Sequence, residues 1–207
     1  LLLGMTYRNT LHAAEDSNVL HEGNYGSRPC RSSLDPIGIE VLQAEYSHLT
    51  RLSHLKFSND AEACCDRIIV DLATIVSLCH GVPSKVATIQ GELLEHARYF
   101  LTMGLGISDK SYSHSDEARI DGTCQGSEDS PTVWGFNSSV YFHLQSKLST
   151  GATYHSATGN ESLTIHMTGF VDDNNLQTNK DAYFHEPDIS GIVSRMNHDG
   201  QVWHGTL

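Results

Sequence analysis

The chain has 207 residues, of which 39% are hydrophobic and 18% charged, and it carries a formal net charge of −12 at pH 7. This length suits one domain with a real core, and the composition argues against wholesale disorder. No apolar run approaches the roughly 18 residues that cross a bilayer, so no membrane partner is expected. The acidic balance by itself argues against a nucleic-acid partner, because phosphate binding normally requires a basic surface.

The spacing of apolar residues predicts helices and strands without a regular βαβ repeat, which favours the α+β class. Residues 1–23 are polar and weakly patterned, Gly81 is placed to end one helix, and Ser130 and Pro131 are suited to begin another. The chain ends inside a predicted helix. The other expected elements are helices over 34–48, 65–80, 83–101 and 130–148 and strands over 52–57 and 163–171.

The cysteines and histidines show no metal-binding spacing. The five cysteines are Cys30, Cys64, Cys65, Cys79 and Cys124, with no CxxC pair among them, and the thirteen histidines are scattered without an HExxH motif. An odd, scattered set of cysteines is typical of reduced thiols, so we expect an intracellular protein, in a compartment that the sequence does not specify. The histidines are expected to be surface and partly buried polar residues.

Two adjacent carboxylates, Asp172 and Asp173, follow the apolar strand predicted over 163–171. Such a pair repels unless a cation or solvent relieves it, and a plain polar turn is the common explanation. Asp60 also ends an apolar strand, where an Asp often serves as a helix N-cap. If the two strands are neighbours, the three carboxylates meet, with Asp60 and Asp172 on the order of 4–6 Å apart across a shared Mg²⁺.

A glycine-containing loop, Gly122 to Gly126, leads into the helix predicted at Ser130. A glycine at each end lets the backbone approach a ligand closely. A simple strand-to-helix loop explains the same pattern, so the loop carries little weight alone.

Four segments taken together resemble the reverse transcriptases of non-LTR retrotransposons and group II introns. They occur in the order in which that family carries them. They are NYGSRPCRSSLDPI (24–37), NDAEACCDRI (59–68), GTCQGSEDSP (122–131) and GFVDD (169–173).

The resemblance implies an RNA-directed DNA polymerase with a palm-like antiparallel sheet packed on helices and part of the fingers. It implies that Asp60 and Asp172 bind two Mg²⁺ ions, which Mn²⁺ can replace, with assistance from Asp173. The partners would be an RNA template with a DNA primer and deoxynucleoside triphosphates. The implied division is a single partial domain, with a fingers-like segment over 1–50, the palm over 51–185 and a truncated helix over 186–207.

The same resemblance implies contacts to the substrates. Gln125 and Gly126 would lie under the template and the incoming nucleotide, and Arg28 and Arg31 would contact the template. Cys65 occupies a position where the family usually has Phe or Tyr, whose ring lies beneath the sugar of the incoming nucleotide.

The chain departs from the family pattern in several places. Ser27 and Cys30 replace a Phe and a Gly, and residues 1–23 contain no basic segment for the triphosphate. We expect that segment before Asn24, and the thumb with its preceding Gly- and Lys-rich block after Leu207, so that the chain is a fragment, inactive alone. Basic surface in those parts would offset some of the acidic charge of the palm.

Two alternatives remain. One is a catalytically degenerate relic of the same domain that retains its aspartates. The other is a non-enzymatic acidic interaction or ion-binding module, since Asp173, Asn175 and Gln177 have the spacing that opens a calcium loop. That loop would require Gly and Glu where Thr178 and Phe184 stand.

Overall fold

The chain has an α+β fold, with six α-helices and seven β-strands in the residues that the structure describes. The computed structural model describes residues 2–61, 64–115, 120–123, 127–179 and 189–206. In chain order the elements are α1 Leu2–Asp16, α2 Leu34–Thr50, β1 His54–Asp60, α3 Val70–Cys79, α4 Ser84–Glu95, β2 Arg98–Met103, β3 Gly106–Ser113, α5 Ser130–Leu148, β4 Ala152–His155, β5 Ser162–Ile165, β6 Met167–Phe170, β7 Asp173–Asn179 and α6 Ile189–Thr206.

The residues divide into two compact units. The first unit comprises Leu1–Ser17 and Ala63–Asn137, and the second comprises Asn18–Glu62 and Ser138–Leu207. The expected division into fingers-like, palm and terminal segments stays a prediction. No helix in the described ranges has the length and apolar character needed to cross a bilayer.

The three-stranded sheet of the second unit has the order β1-β7-β6, with both neighbouring pairs antiparallel. The strand predicted over 52–57 pairs with the second strand of the Asp-Asp hairpin, β7. It does not pair with the strand predicted over 163–171, whose last part, β6, lies on the other side of β7. The segment predicted as one strand over 163–171 is divided at His166. Its first part, β5, pairs with β4, and its second part, β6, pairs with β7.

The core of the second unit lies on one face of this sheet. Met167 and Leu176 face each other across β6 and β7 and pack with Phe142 of α5 and Trp203 of α6. Leu176 is fully buried, whereas Phe57, its partner on β1, is 46% exposed.

Helix α5 packs on this sheet through Phe142. The apolar spacing of the helix predicts contact through Leu144 and Leu148 instead, and these are 40% and 55% exposed, so that part of the prediction is wrong.

Helix α2 is where it was predicted, but its buried face is not the apolar one. Pro36 and Gln43 are its buried residues, while Leu42 and Leu49 are 69% and 79% exposed. Polar contacts join this helix to the sheet: Glu40 lies 2.6 Å from the Lys56 ammonium, and its other oxygen accepts a hydrogen bond from the Asn175 amide at 2.6 Å.

Two of the predicted helices differ from the structure of the first unit. Where one helix was expected over 65–80, a 3-10 turn covers Cys64–Arg67 and α3 covers Val70–Cys79. Helix α3 ends two residues before Gly81, whose φ is 91°. The helix expected to reach Leu101 ends at Glu95, because Arg98–Met103 pairs with β3 in a hairpin. Aromatic and β-branched residues such as Tyr99 and Thr102 favour that strand. The packing of residues 65–80 on the palm-like sheet stays a prediction.

We expect truncation of Leu176 to destabilise the second unit strongly. Leu176→Ala removes a fully buried side chain, and such changes lower the free energy of unfolding by about 2–5 kcal/mol. Phe57→Ala, directly across the strand pair, is the matched control, and its half-exposed ring should cost less than half as much. Urea denaturation of both variants measures the difference, and equal losses would contradict this description of the core.

Candidate functional site

The candidate site is the end of the three-stranded sheet where β1 stops and β6 turns into β7. Asp60 is directly opposite Asp173 in the antiparallel register, so their side chains project from the same face. Val171 and Asp172 form the turn between the strands, and the Ala61 N–H donates to the Asp172 carbonyl at 2.9 Å. The backbone register thus places Asp60 beside the Asp172-Asp173 turn. The separation of about 4–6 Å expected between the Asp60 and Asp172 carboxylates stays a prediction.

The three carboxylates at this end repel one another, and their exposure lets solvent relieve part of that repulsion. Asp60, Asp172 and Asp173 are all exposed, and like charges directly opposite one another destabilise a strand pair. Within the described part of the chain, no group of three or more His, Cys, Asp or Glu residues is placed to hold a metal ion. The assignment of the three aspartates as metal ligands therefore stays a prediction, one that requires their exposed side chains to turn toward a common ion.

The turn itself has an unusual backbone. Val171 has a φ of 58°, in the left-handed region that a β-branched residue rarely occupies. The first residue of a two-residue hairpin turn is normally one that tolerates positive φ, such as Gly or Asn. A local constraint must therefore hold Val171 in place.

The segment before residue 28 supplies that constraint. Gly169 accepts a hydrogen bond from the Tyr25 N–H at 2.9 Å and donates one to the Gly23 carbonyl at 2.9 Å. At Gly26 a Cβ atom would lie 2.3 Å from the Val171 nitrogen, so only glycine fits there. The first of the four resembling segments thus packs its backbone directly against the Asp-Asp turn.

The two arginines predicted to contact template differ in their placement. Arg28 is 7% exposed, and its Nη1 donates to the carbonyls of His21 and Asn24 at 2.7 and 2.8 Å. Its burial and its bonds to the backbone indicate a structural role and do not favour the predicted contact with the template. Arg31 is exposed, with its guanidinium 5.3 Å from the centre of the Tyr25 ring, and its template contact stays a prediction.

A cleft of about 380 Å³ opens beside the two opposed aspartates. Its walls come from the start of α2 and from the ends of the three strands. Pro36, Ile37 and Phe170 give it an apolar part, while Glu40 adds a further carboxylate beside Asp60 and Asp173. The Lys56 ammonium is held by Glu40, so the cation nearest in sequence to Asp60 is already engaged.

In the first unit, parts of the second and third segments contact each other. The Thr123 N–H donates to the Cys65 carbonyl at 2.8 Å, and the Gly122 N–H donates to the Ile68 carbonyl at 2.8 Å. Gly122 has a φ of 107°, and a Cβ there would lie 2.5 Å from the Asp66 Cα. Gln125 and Gly126 lie outside the described residues, and their predicted roles are untested.

The calcium-loop alternative is wrong, because Asp173–Asn179 is a regular strand in the centre of the sheet. Gln177 and Thr178 are fully buried there and cannot wrap around an ion. Phe184, the last position of that loop, lies outside the described residues.

A buried polar network at the start of α5 was not predicted from the sequence. Asp129, 5% exposed, accepts hydrogen bonds from Gln90 and Ser127, and Tyr7 donates to Gln90. Burial raises the pKa of Tyr7, and the Asp129 charge adds to that effect. The carbonyl of Asp129 also accepts the Val133 N–H, so α5 is capped one residue earlier than the predicted Ser130.

A second cleft in the second unit, of about 460 Å³, contains His21, His143 and His166 in its wall. Burial lowers the pKa of His21 to about 4, with contributions from His143, His166 and Arg28. His21 is therefore neutral at physiological pH, and its Nδ1 accepts the Gly23 N–H at 3.1 Å. His21 and His166 are partly buried and His143 is exposed, which agrees with the expectation of surface and partly buried histidines.

No protein-family model matches this chain, and no curated protein matches it significantly.

We expect Asp173→Asn to stabilise the second unit when divalent cations are absent. The substitution removes a like-charge contact across β1 and β7, which is worth a few tenths of a kcal/mol at an exposed position. Glu45→Gln, on the exposed side of α2, removes the same charge away from the hairpin and is the control. Thermal melts in a metal-free buffer give the comparison. A lower melting temperature for Asp173→Asn than for Glu45→Gln would contradict the repulsion.

Proposed function

We propose that this chain carries the catalytic palm of an RNA-directed DNA polymerase of the retrotransposon type. The observation that carries the proposal is the pairing of Asp60 with Asp173 at the turn that contains Asp172. Carboxylates that far apart in sequence and adjacent in a sheet are what two-metal phosphoryl transfer requires.

Two further features support the proposal. The sheet order β1-β7-β6 brings the strand end of the second resembling segment beside the hairpin of the fourth. The Gly122 and Thr123 backbone bonds connect the third segment to residues 65–68 of the second. Four short motifs that resemble one family thus have mutual contacts that a chance set of matches does not require.

In this proposal Asp60 and Asp172 hold two Mg²⁺ ions, and Asp173 assists them by its charge. When bound, the ions would neutralise the phosphate oxygens and stabilise the attacking and leaving oxygens. In the reaction the 3′-oxygen of the primer forms a bond to the α-phosphate of a deoxynucleotide, the bond from that phosphate to pyrophosphate breaks, and the hydroxyl proton goes to solvent. Asp60 and Asp172 would hold the ions beside these groups. Gln125 and Gly126 would support the template and the nucleotide, and Arg31 would contact the template.

The charge of the chain limits how it can hold nucleic acid. It has 13 Lys and Arg residues against 25 Asp and Glu residues. Of the basic side chains near the candidate site, Arg28 is buried and Lys56 is paired with Glu40. Few phosphate contacts are available, so we propose that this chain contributes the chemistry and little of the affinity for the template.

Primer extension tests the proposal. In a protein that contains this chain together with flanking polymerase segments, Asp60→Asn or Asp172→Asn should reduce extension of a DNA primer on an RNA template by at least about 10³-fold. The reason is that two-metal positioning supplies most of this chemistry. Residues 1–207 alone should give no extension with Mg²⁺ or Mn²⁺.

Glu45→Gln is the control for charge and should retain the extension rate of the unmodified protein. Extension that survives in both aspartate variants would refute the proposed metal ligands. The degenerate relic would give a different result. The unmodified protein would bind Mn²⁺ but fail to extend a primer, and Mn²⁺ binding would be lost in Asp60→Asn and kept in Glu45→Gln.

A separate prediction concerns sugar selection at Cys65. A small thiol leaves space where a ring would collide with a 2′-hydroxyl, so the active protein should discriminate poorly between ribonucleotides and deoxyribonucleotides. Cys65→Tyr should restore the preference by about 1–3 kcal/mol, or roughly 10–200-fold. Incorporation of both nucleotide types by the two proteins measures this, with Cys64→Tyr as the neighbouring control. If the unmodified protein and Cys65→Tyr both select strongly and equally against ribonucleotides, the role of this position in sugar selection is refuted.

A further inference from the structure

Helix α2 turns an apolar stripe toward solvent. The stripe consists of Leu34, Val41, Leu42 and Leu49, which recur at the spacing of one helix face. Each of the four is more than half exposed. A surface helix normally packs such a stripe against its own domain, whereas α2 buries Pro36 and Gln43 on its opposite side. Contiguous apolar surface of this kind marks an interaction site.

The two ends of this helix carry opposite charges. Asp35 lies in the first turn, where its carboxylate accepts the Ser32 N–H at 2.6 Å, and Arg51 is the C-cap. Both charged residues are exposed. The backbone dipole adds a partial positive charge at the N-terminus of a helix and a partial negative charge at the C-terminus. A partner helix that runs antiparallel therefore meets opposite side-chain charges and opposite dipole ends.

A second copy of α2 has these properties itself. The stripe is symmetric about the point between Val41 and Leu42, so two copies that cross antiparallel at that point place Leu34 of each against Leu49 of the other. The same crossing brings Arg51 of one copy within about one helical turn of Asp35 of the other, a distance that the long side chain can span.

Gly38 lies within the same face and favours close packing of two helices there. A Cβ atom at Gly38 would meet nothing within 4 Å, so the space in front of its backbone is open to a partner. Glu45 of the second copy falls opposite Gly38, where the missing side chain leaves room for the carboxylate to stay in solvent. The acidic Asp35 and Glu45 make nucleic acid and anionic membranes poorer occupants of this face.

We propose that the exposed face of α2 is a homodimer interface in which two copies of the helix pair antiparallel about a two-fold axis. Such an interface uses the same surface on both copies and must be self-complementary. One helix face offers fewer residues than the roughly 20–30 a side of a standard interface, so the dimer should be weak. The inference goes beyond the proposed function and does not depend on it, because pairing requires no substrate and no metal.

Sedimentation equilibrium of the full chain over a range of concentrations measures the dimerisation. Leu42→Glu brings two carboxylates together near the axis and should weaken the dimer at least about 30-fold, as for a central interface residue. Leu93→Glu replaces a leucine of α4 that is 56% exposed, and this matched control should leave the dimerisation constant unchanged. Circular dichroism should show the same helix content in both variants.

A charge exchange tests the antiparallel orientation. Asp35→Lys and Arg51→Glu should each weaken the dimer roughly 2–30-fold, since each removes two exposed ion pairs. The two changes together should restore dimerisation, because every new charge then meets its opposite on the second copy. Restoration cannot come from helix capping, which the double variant loses as well.

Three results would overturn the proposal. The first is a chain that stays monomeric at every concentration, which would leave this face to a different occupant. The second is a dimer that Leu42→Glu leaves intact or that Leu93→Glu weakens equally. The third is a charge-exchanged double variant that dimerises no better than the single variants.

Discussion

The central strand β7 is paired on both sides, and its register decides the position of the candidate site. Side chains alternate along a strand, so a slip by one residue would move Leu176 out of the core and turn Asp173 to the opposite face. The burial of Leu176 against Phe142 and Trp203 opposes such a slip. Apolar packing on one face therefore fixes which carboxylates meet on the other.

Support for the turn comes from backbone atoms more than from side chains. The carbonyls and amides of Gly23, Tyr25 and Gly169 connect the segment before Arg28 to β6, and Gly26 gives that segment its close approach to Val171. Arg28 then satisfies carbonyls of the same segment. A residue whose type suggests phosphate binding thus stabilises the loop that shapes the site.

Much of the local structure could be predicted, whereas the partners of its residues could not. The bounds of α2 and α5 follow from apolar spacing and capping residues, and the meeting of Asp60 with the Asp-Asp pair follows from the positions of two strand ends. The burial of Gln43 in place of Leu42 does not follow from apolar spacing, and residue type alone does not indicate the Glu40–Lys56 ion pair on the same helix. The Tyr7–Gln90–Asp129 network joins three distant parts of the chain, and no local pattern signals it.

The positive φ of Val171 has a consequence for the order of folding. A hairpin closes early when its turn residues prefer the required backbone shape, and valine does not prefer this one. We therefore expect β6 and β7 to be poor at nucleating on their own. Their pairing gains its stability only when residues 23–26 have come to lie alongside β6, a contact that spans a large part of the chain. Folding of the second unit should be correspondingly slow, because loop-closure entropy must be overcome before these distant contacts contribute.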